Sequence, residues 1–283
     1  MATIMNENER FHLKIKKGDV GRYVILPGDP GRVPKIAEYL DDAVQVAQNR
    51  EYNIYTGKLL GEKVSVCSTG IGGPSAAIAV EELIDSGATT FIRVGTCGGV
   101  DLQVSGGDLI IAEAAIRAEG TSYEYLPQGY PALADFEVTS ALAQAAKEIY
   151  ENKNVFGNYH VGVVHSKDSF YGEVNPEGSA VGDNIKSRWD SYLKSGCLAS
   201  EMECAAIYSV GLVRGARHET RRIRCGAVLT ALWNAERSKR GLDDTICNDT
   251  TRGIKCAVRA LEIIIANDAE QEARYRAYMN ENR

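Results

Sequence analysis

Thr89-Thr90-Phe91-Ile92-Arg93-Val94-Gly95-Thr96-Cys97-Gly98-Gly99 is the stretch from which the fold can be read. Residues 90–94 form a short, mostly apolar, β-branched run, which predicts a buried strand. The run gives way to Gly95-Thr96 and Gly98-Gly99, where the backbone is free to bend and to approach a ligand. Arg93 interrupts the apolar pattern. A guanidinium there requires either an anion or a buried carboxylate beside it. Thr96 adds a hydroxyl and a backbone N–H just past the predicted strand end, a combination that suits a small oxyanion such as phosphate.

Working outward, strands are predicted at 22–26, 44–47, 52–59, 63–67, 108–116, 159–165 and 226–233. Helices are predicted at 33–40, 74–86, 136–150, 181–193, 203–213 and 249–266. Residues 118–135 and 166–180 read as irregular, and the charged tail 270–283 as frayed. Alternating strands and helices imply an α/β fold with a mixed or mostly parallel central sheet flanked by helices. No composition shift marks a linker, so residues 1–283 read as a single domain. Ligand-binding loops are then expected at the carboxyl ends of the strands, where Pro27-Gly28, Ser68–Gly73, Gly95–Gly99 and Ser166–Gly172 fall.

The net charge of −6 weighs against a nucleic-acid surface, and no apolar run is long enough to cross a bilayer. Residues 1–10 carry no apolar signal core. The seven cysteines are odd in number and lack CxxC spacing, which points to free thiols and a cytoplasmic setting. With four histidines and no HExxH pattern, no metal site is expected.

Several residues can carry chemistry. Gly28 at a strand end and Arg32 one turn later can hold one anion, or form an ordinary turn with a solvated arginine. In Glu201-Met202-Glu203 an extended backbone sends both carboxylates to one side and the methionine to the other. Those carboxylates can accept hydroxyl groups, or simply decorate a helix N-terminus. Phe170, Tyr171 and Trp233 can stack on a planar base or pack in the core. Asn234, Glu236 and Arg237 follow Trp233 and can line or brace the same pocket. Arg50 and His12, taken alone, read as surface residues.

The chain resembles the hexameric nucleoside phosphorylase family, and within it the uridine-cleaving branch. The resemblance rests on Phe11-His12-Leu13, Pro27-Gly28-Asp29-Pro30-Gly31-Arg32-Val33 and Cys67-Ser68-Thr69-Gly70-Ile71-Gly72-Gly73-Pro74-Ser75. It continues through Ala79-Val80-Glu81-Glu82-Leu83, Arg93-Val94-Gly95-Thr96-Cys97-Gly98, Lys167-Asp168-Ser169-Phe170-Tyr171-Gly172 and Ser200-Glu201-Met202-Glu203. These motifs run in order from about residue 11 to 266. They are specific for the superfamily and less so for the base.

The resemblance implies a sheet that partly closes as a barrel, and a hexamer of three dimers. It implies reversible phosphorolysis of uridine to uracil and ribose 1-phosphate through an oxocarbenium-like transition state. Inorganic phosphate would be the co-substrate, with no metal or organic cofactor. Phosphate would be held by Gly28, Arg32, Arg93 and Thr96, with Arg50 from the dimer partner. Ribose would meet Glu201, Met202, Glu203 and Thr96, with His12 from the partner. The base would lie against Cys97, Gly98, Phe170, Glu173, Leu232, Trp233 and Asn234. The alternatives are a phosphorylase of a purine or modified nucleoside, and a nucleoside-binding protein without turnover.

The base-reading shell departs from the family pattern. Glu173 stands where a glutamine is expected, and no arginine matches nearby; Arg188 falls in a predicted helix. An ionised glutamate accepts from a base N–H but donates nothing to a carbonyl. Purine-specific relatives carry an acidic proton donor where this chain has Asn234, unless Glu236 supplies the proton. Cys97 replaces a threonine, and Ala235 a glutamine. A stretch rich in arginine, Arg214, Arg217, Arg221, Arg222 and Arg224, reads as a surface insertion or a basic patch.

Overall fold

The computed structural model of the chain describes residues 9–151, 157–216, 222–242 and 245–282. In chain order its strands are β1 (Tyr23–Pro27), β2 (Asp41–Asn49), β3 (Tyr52–Leu59), β4 (Glu62–Cys67), β5 (Thr90–Gly99), β6 (Leu109–Ala118), β7 (Ala132–Leu133), β8 (Tyr159–Lys167), β9 (Ala199–Glu201) and β10 (Arg224–Trp233). The α-helices are α1 (Arg32–Ala37), α2 (Gly73–Asp85), α3 (Phe136–Tyr150), α4 (Phe170–Val174), α5 (Gly182–Lys194), α6 (Cys204–Ala216), α7 (Ala235–Lys239) and α8 (Thr251–Glu281).

All the strands join one mixed sheet in the order β10-β6-β8-β9-β5-β1-β4-β3-β2, with β7 beside β6. β10 also pairs with β5, which closes β5, β10, β6, β8 and β9 into a barrel. β1 runs parallel to β4 and β5, β10 parallel to β5, and β8 parallel to β6 and β9. The arm β2-β3-β4 and the pairs β5–β9 and β6–β10 are antiparallel. The expected α/β fold with a mixed, partly barrel-like sheet is therefore what the chain forms.

Period-two side-chain alternation builds a core on each face of the sheet. In β1, Val24 and Leu26 join one core, while Tyr23 and Ile25 join the other. The first core is covered by α2 and α6, whose Ala76, Ala79, Ala205 and Val210 are fully buried. The second is covered by α1, α3 and α8. In β5, Ile92 and Val94 face the second core, and Phe91 and Cys97 the first. Arg93 therefore falls in the row of Phe91 and Cys97, inside an apolar layer.

Several boundaries differ from expectation. β5 does not end at Val94 but continues to Gly99, because β10 and β9 hydrogen-bond its second half. Gly95 is needed for close approach rather than for a bend. A Cβ there would lie 2.7 Å from Arg93 Nη2 and from Leu229 Cδ2. β9 has too few residues to show a period and was not predicted. Residues 166–180 hold α4 and a 3-10 turn at Pro176–Gly178 instead of irregular loop, and 118–135 hold a 3-10 turn and β7. The tail does not fray at 270. α8 continues to Glu281, supported by i,i+4 ion pairs Glu270–Arg274 and Glu272–Arg276 and by Arg22 on Glu272.

The arginine-rich stretch is tied to carboxylates of the chain. Arg214 pairs with Glu81 and Asp85, Arg222 with Asp135 and Glu137, and Arg224 with Glu137 and Asp268. Arg217 and Arg221 lie outside the described residues. Among the described residues no helix is long and apolar enough to cross a membrane.

Asp268 ties α8 to the sheet. It accepts from Arg224 Nη1 at 2.8 Å and Nη2 at 2.6 Å, and from the Tyr23 hydroxyl at 2.8 Å. Burial pushes this carboxyl up, but the bonds from Arg224 and Tyr23 outweigh it and hold it below the ordinary aspartate value. A depressed carboxyl stabilises the fold above its unfolded pKa, and that contribution is lost as pH falls through the lower native value. Asp268→Asn should thus lose about 2 kcal/mol of stability at pH 7 in urea unfolding. The gap to wild type should close as pH falls below about 4. A gap independent of pH would refute the charged bond.

Candidate active site

At the carboxyl ends of β1, β5, β8, β9 and β10 opens a cavity of about 1320 Å³. Its floor is built around Arg93. The guanidinium is 4 % exposed and reaches two carboxylates. Nε and Nη2 lie 3.2 Å and 3.1 Å from Glu201 Oε2, and Nη2 also contacts Glu203 Oε2. The glutamates at i and i+2 do point to one side, and Met202 between them lines the cavity.

Glu201 has no exposed side-chain surface. Besides Arg93 it accepts from the backbone N–H groups of Glu203 and Cys204 and from the Ser166 hydroxyl. The register of β9 beside β8, Ser166 opposite Glu201, brings that hydroxyl to it. Its oxygens thus serve the protein's own donors. Glu203 accepts from the Gly72 N–H at 2.6 Å, which ties the glycine-rich loop to the site. Gly72 sits at φ 96°, a conformation that side chains other than glycine rarely adopt. Burial raises the Glu203 carboxyl, and Glu201 adds to this while Arg93 opposes it.

Arg93 Nη1 is buried and has no hydrogen-bond partner. It lies beside Gly28, where a Cβ would come within 3.9 Å of it. Arg32 lines the same wall and donates to the Val94 carbonyl at 3.1 Å. Burial lowers the Arg32 pKa, and the neighbouring Arg93 lowers it further, against the pull of Asp29. Two guanidiniums and Thr96 thus border one notch, with a donor to spare. An unpartnered buried N–H beside a second cation has the donors and charge that suit an anion.

Further out the walls are aromatic. Phe170, Leu232 and Trp233 line the cavity, Phe170 and Trp233 being largely exposed, and Cys97 and Gly98 continue from β5. Burial pushes the Cys97 thiol up, so it stays protonated. Glu173, on α4, also lines the cavity.

Three of the expected residues are not in the lining. Asn234 is buried and caps α7, accepting from the Glu236 and Arg237 N–H groups at 3.0 Å and 3.3 Å. Its Nδ2 donates to the Asp101 and Val104 carbonyls at 2.8 Å and 2.9 Å. The amide is fully committed to joining α7 to the loop after β5. His12 and Arg50 lie elsewhere, near each other: Asn49, next to Arg50, donates to the His12 carbonyl at 2.7 Å. His12 Nδ1 is 2.7 Å from Glu82, which leaves Nε2 turned away from that partner. Arg50 is exposed at φ 54° in the β2–β3 turn.

Lys167, His165 and Ser200 were missed as site residues. Lys167 donates to Glu173 at 2.6 Å and to Ser200 at 2.7 Å, and Ser200 donates to Glu173 at 2.9 Å. Lys167 lay in a motif already noted, and strand alternation alone could not say that it points inward. Glu236 lines the cavity and accepts from Trp189 at 2.9 Å and Lys239 at 2.7 Å. Burial pushes its carboxyl up, yet the Lys239 and Trp189 bonds bring it below the ordinary value, so it is an acceptor and not an acid. Arg188 is exposed on α5, outside the lining. Among the described residues no group of three or more His, Cys, Asp or Glu side chains could hold a metal ion.

The chain is similar to known proteins of one family. Residues 22–231 match the phosphorylase superfamily. A uridine phosphorylase of Treponema pallidum (strain Nichols) is 44% identical over 269 residues, 95% of this chain and 99% of that one. A uridine phosphorylase of Thermococcus kodakarensis is 46% identical over 213 residues, 75% of each chain. A guanosine phosphorylase of Halorubrum lacusprofundi is 40% identical over 223 residues, 79% of this chain and 83% of that one.

The two arginines differ in what their removal leaves behind. Arg93→Ala strips the counter-charge from two buried carboxylates and should lower stability by about 3–5 kcal/mol. Arg32→Ala loses one bond to a carbonyl and should stay within about 1 kcal/mol of wild type. Denaturant unfolding of both variants at pH 7 checks this, and equal losses would refute the buried triad.

Proposed function

The chain belongs to the phosphorylase superfamily, and from that premise we propose that it catalyses reversible phosphorolysis of uridine, with inorganic phosphate as co-substrate. The observation that carries the reading is the orphaned Arg93 Nη1 beside Gly28 and Arg32, one atom away from the contact between Arg93 and Glu203. One guanidinium thereby addresses the anion with one nitrogen and holds the sugar-binding carboxylate with another. That is how a phosphate and a ribose come to lie against each other. The uridine phosphorylases among the relatives support uridine as the nucleoside.

In this reading Gly28 N–H, Arg32, Arg93 and Thr96 hold phosphate on the face of the ribose opposite the base. Glu203 accepts the 2′ and 3′ hydroxyls, with Met202 beneath the ring as an adaptable apolar contact. Glu201 does not touch the sugar; it positions Arg93 and Glu203. The C1′–N1 bond breaks as a phosphate oxygen bonds to C1′, and the base leaves with the electron pair and takes a proton from solvent. Phosphate stabilises the positive charge that develops on the ribose. No step calls for a metal or organic cofactor. The unpaired cysteines fit a reducing, cytoplasmic setting.

We further propose that a second copy completes the site with His12 and Arg50, in a dimer that assembles to a hexamer. The charge balance supports this. Glu201 and Glu203 both pair with Arg93, and Asp29 acts on Arg32, so the notch has no surplus positive charge to meet a phosphate dianion. A further guanidinium from outside the chain corrects that. Arg50 is exposed, and Glu82 already orients the His12 ring.

Base release from uridine should require phosphate, and no release from any nucleoside with phosphate present would overturn the reaction. Arg32→Ala and Arg50→Ala should each lower kcat/KM for phosphate about 100-fold or more. If Arg50 acts across the interface, subunit exchange between the two variants should restore about a quarter of the sites. Failure to restore any activity, with assembly intact by sedimentation and subunits exchanged, would show that Arg50 does not act across the interface, and an Arg50→Ala variant of undiminished activity would place it outside the site.

A further inference from the structure

The base end of the cavity holds a polar cluster that the phosphorolysis reading leaves unexplained. Lys167 ends β8, Ser200 lies on β9 and Glu173 on α4. The side chains of Lys167 and Glu173 are 10% and 13% exposed, and both line the cavity. Lys167 Nζ gives one N–H to Glu173 Oε1 and one to Ser200, which leaves a third. Glu173 Oε2 faces Ser200 at 2.9 Å and His165 Nδ1 at 3.3 Å, while Oε1 takes Lys167 alone and keeps a lone pair open. His165 is set opposite Ser200 by the β8–β9 register and packs on Tyr192 at 4.4 Å between ring centroids. The cluster is thus braced from three elements, and the two atoms that keep an unused donor and acceptor, Lys167 Nζ and Glu173 Oε1, are joined by their own 2.6 Å hydrogen bond. The Phe170 ring lies 5.8 Å from the ammonium and is half exposed to the cavity.

We propose that Lys167 and Glu173 form a fixed donor–acceptor pair that selects bases presenting an N–H next to a C=O. The inference rests on the phosphorolysis reading and names its substrate class. Uracil presents N3–H to Glu173 Oε1 and a flanking carbonyl to the Lys167 ammonium. A 6-oxopurine presents N1–H and O6 in the same way, and the cavity is large enough for either ring system. Cytosine and adenine present a bare ring nitrogen to the carboxylate and an amino group to the ammonium. Both contacts are then repulsive, acceptor against acceptor and donor against donor. Lys167 supplies the donation to the carbonyl that Glu173 cannot make. As the C1′–N1 bond breaks, charge builds on the carbonyl oxygens of uracil, and the ammonium there stabilises the departing base. A 6-oxopurine gains less. Of the two described residues considered as donors to N7, the Asn234 amide is committed and Glu236 is held ionised. Inosine should therefore bind and turn over slowly.

The test is kcat/KM for uridine, cytidine, inosine and adenosine with phosphate in excess, together with calorimetric binding of uracil, hypoxanthine, cytosine and adenine. Wild type should prefer uridine over cytidine at least about 100-fold, and should bind hypoxanthine but not adenine. Lys167→Met should lower kcat/KM for uridine about 100-fold while leaving that for cytidine little changed. That variant leaves Glu173 without its cation, so the double variant Lys167→Met, Glu173→Met, which removes the pair together, guards against misfolding. In it the preference for uridine over cytidine should collapse to within about tenfold. A preference that survives in the folded double variant, or equal losses for all four nucleosides, would show a merely structural ion pair and overturn the proposal. Binding of uracil and hypoxanthine by an enzyme that cleaves none of the nucleosides would uphold the selection and refute the reaction.

Discussion

The rest of the structure depends on one buried contact, the guanidinium of Arg93 between the carboxylates of Glu201 and Glu203. None of the three can be dry and alone, because an unpaired ion in an apolar layer costs several kcal/mol. Each sits on a different segment. Arg93 comes from the middle of β5, Glu201 from the end of β9, and Glu203 from the turn into α6. Their pairing therefore requires β9 to lie against β5, one of the strand pairings that make up the barrel. The triad also draws in its neighbours. Gly95 has no side chain because the guanidinium lies over it, and Gly72 donates to Glu203 from a left-handed turn.

A buried ion triad is seldom the most stable filling for a core; apolar residues of similar volume often serve as well or better. Its retention makes sense where the charges face a ligand. Arg93 keeps Nη1 unpartnered beside Gly28, so the fold holds a donor in reserve at a strand end. Preorganised donors of this kind lose little when charge develops next to them, since nothing has to be reoriented. The contact that holds β9 against β5 thus also fixes the guanidinium whose Nη1 stays unpartnered.

Much of this was legible in the chain. The period-two strands and the small-residue helices at 73–85 and 204–216 carry their own signatures, so the α/β class and its mixed sheet could be read directly. Arg93 stood out because it breaks an apolar run, and Glu201-Met202-Glu203 because of its spacing. What was illegible follows from lengths and distances. β9 has three residues and shows no period of its own. The second half of β5 reads as glycine-rich turn, and only its two neighbouring strands make it a strand. Lys167 continues the alternation of β8 like any other residue, and Asn234 turned out to be an N-cap whose amide has no bond left for a ligand. Without Lys167, Glu173 reads as an acceptor that donates nothing to a base carbonyl. With it, the proposed site gains the donor that Glu173 lacks, since Lys167 is bonded to that carboxylate.

The site divides along the same line. Gly28, Arg93, Glu201 and Glu203 belong to strand ends and turns locked into the barrel, where a change in one residue strands a buried charge in another. Phe170 and Glu173 sit on the short α4, Trp233 at the last position of β10, and Ala235 and Glu236 on α7, all at the cavity's open side. A substitution there alters local bonds without unpairing the triad. The part of the cavity proposed to hold phosphate and ribose is thereby locked by the fold, and the part proposed to meet the base is not tied to the triad. Two of the departures from the resembled pattern, Glu173 and Ala235, fall on these short helices, whereas Cys97 lies on β5 within the barrel.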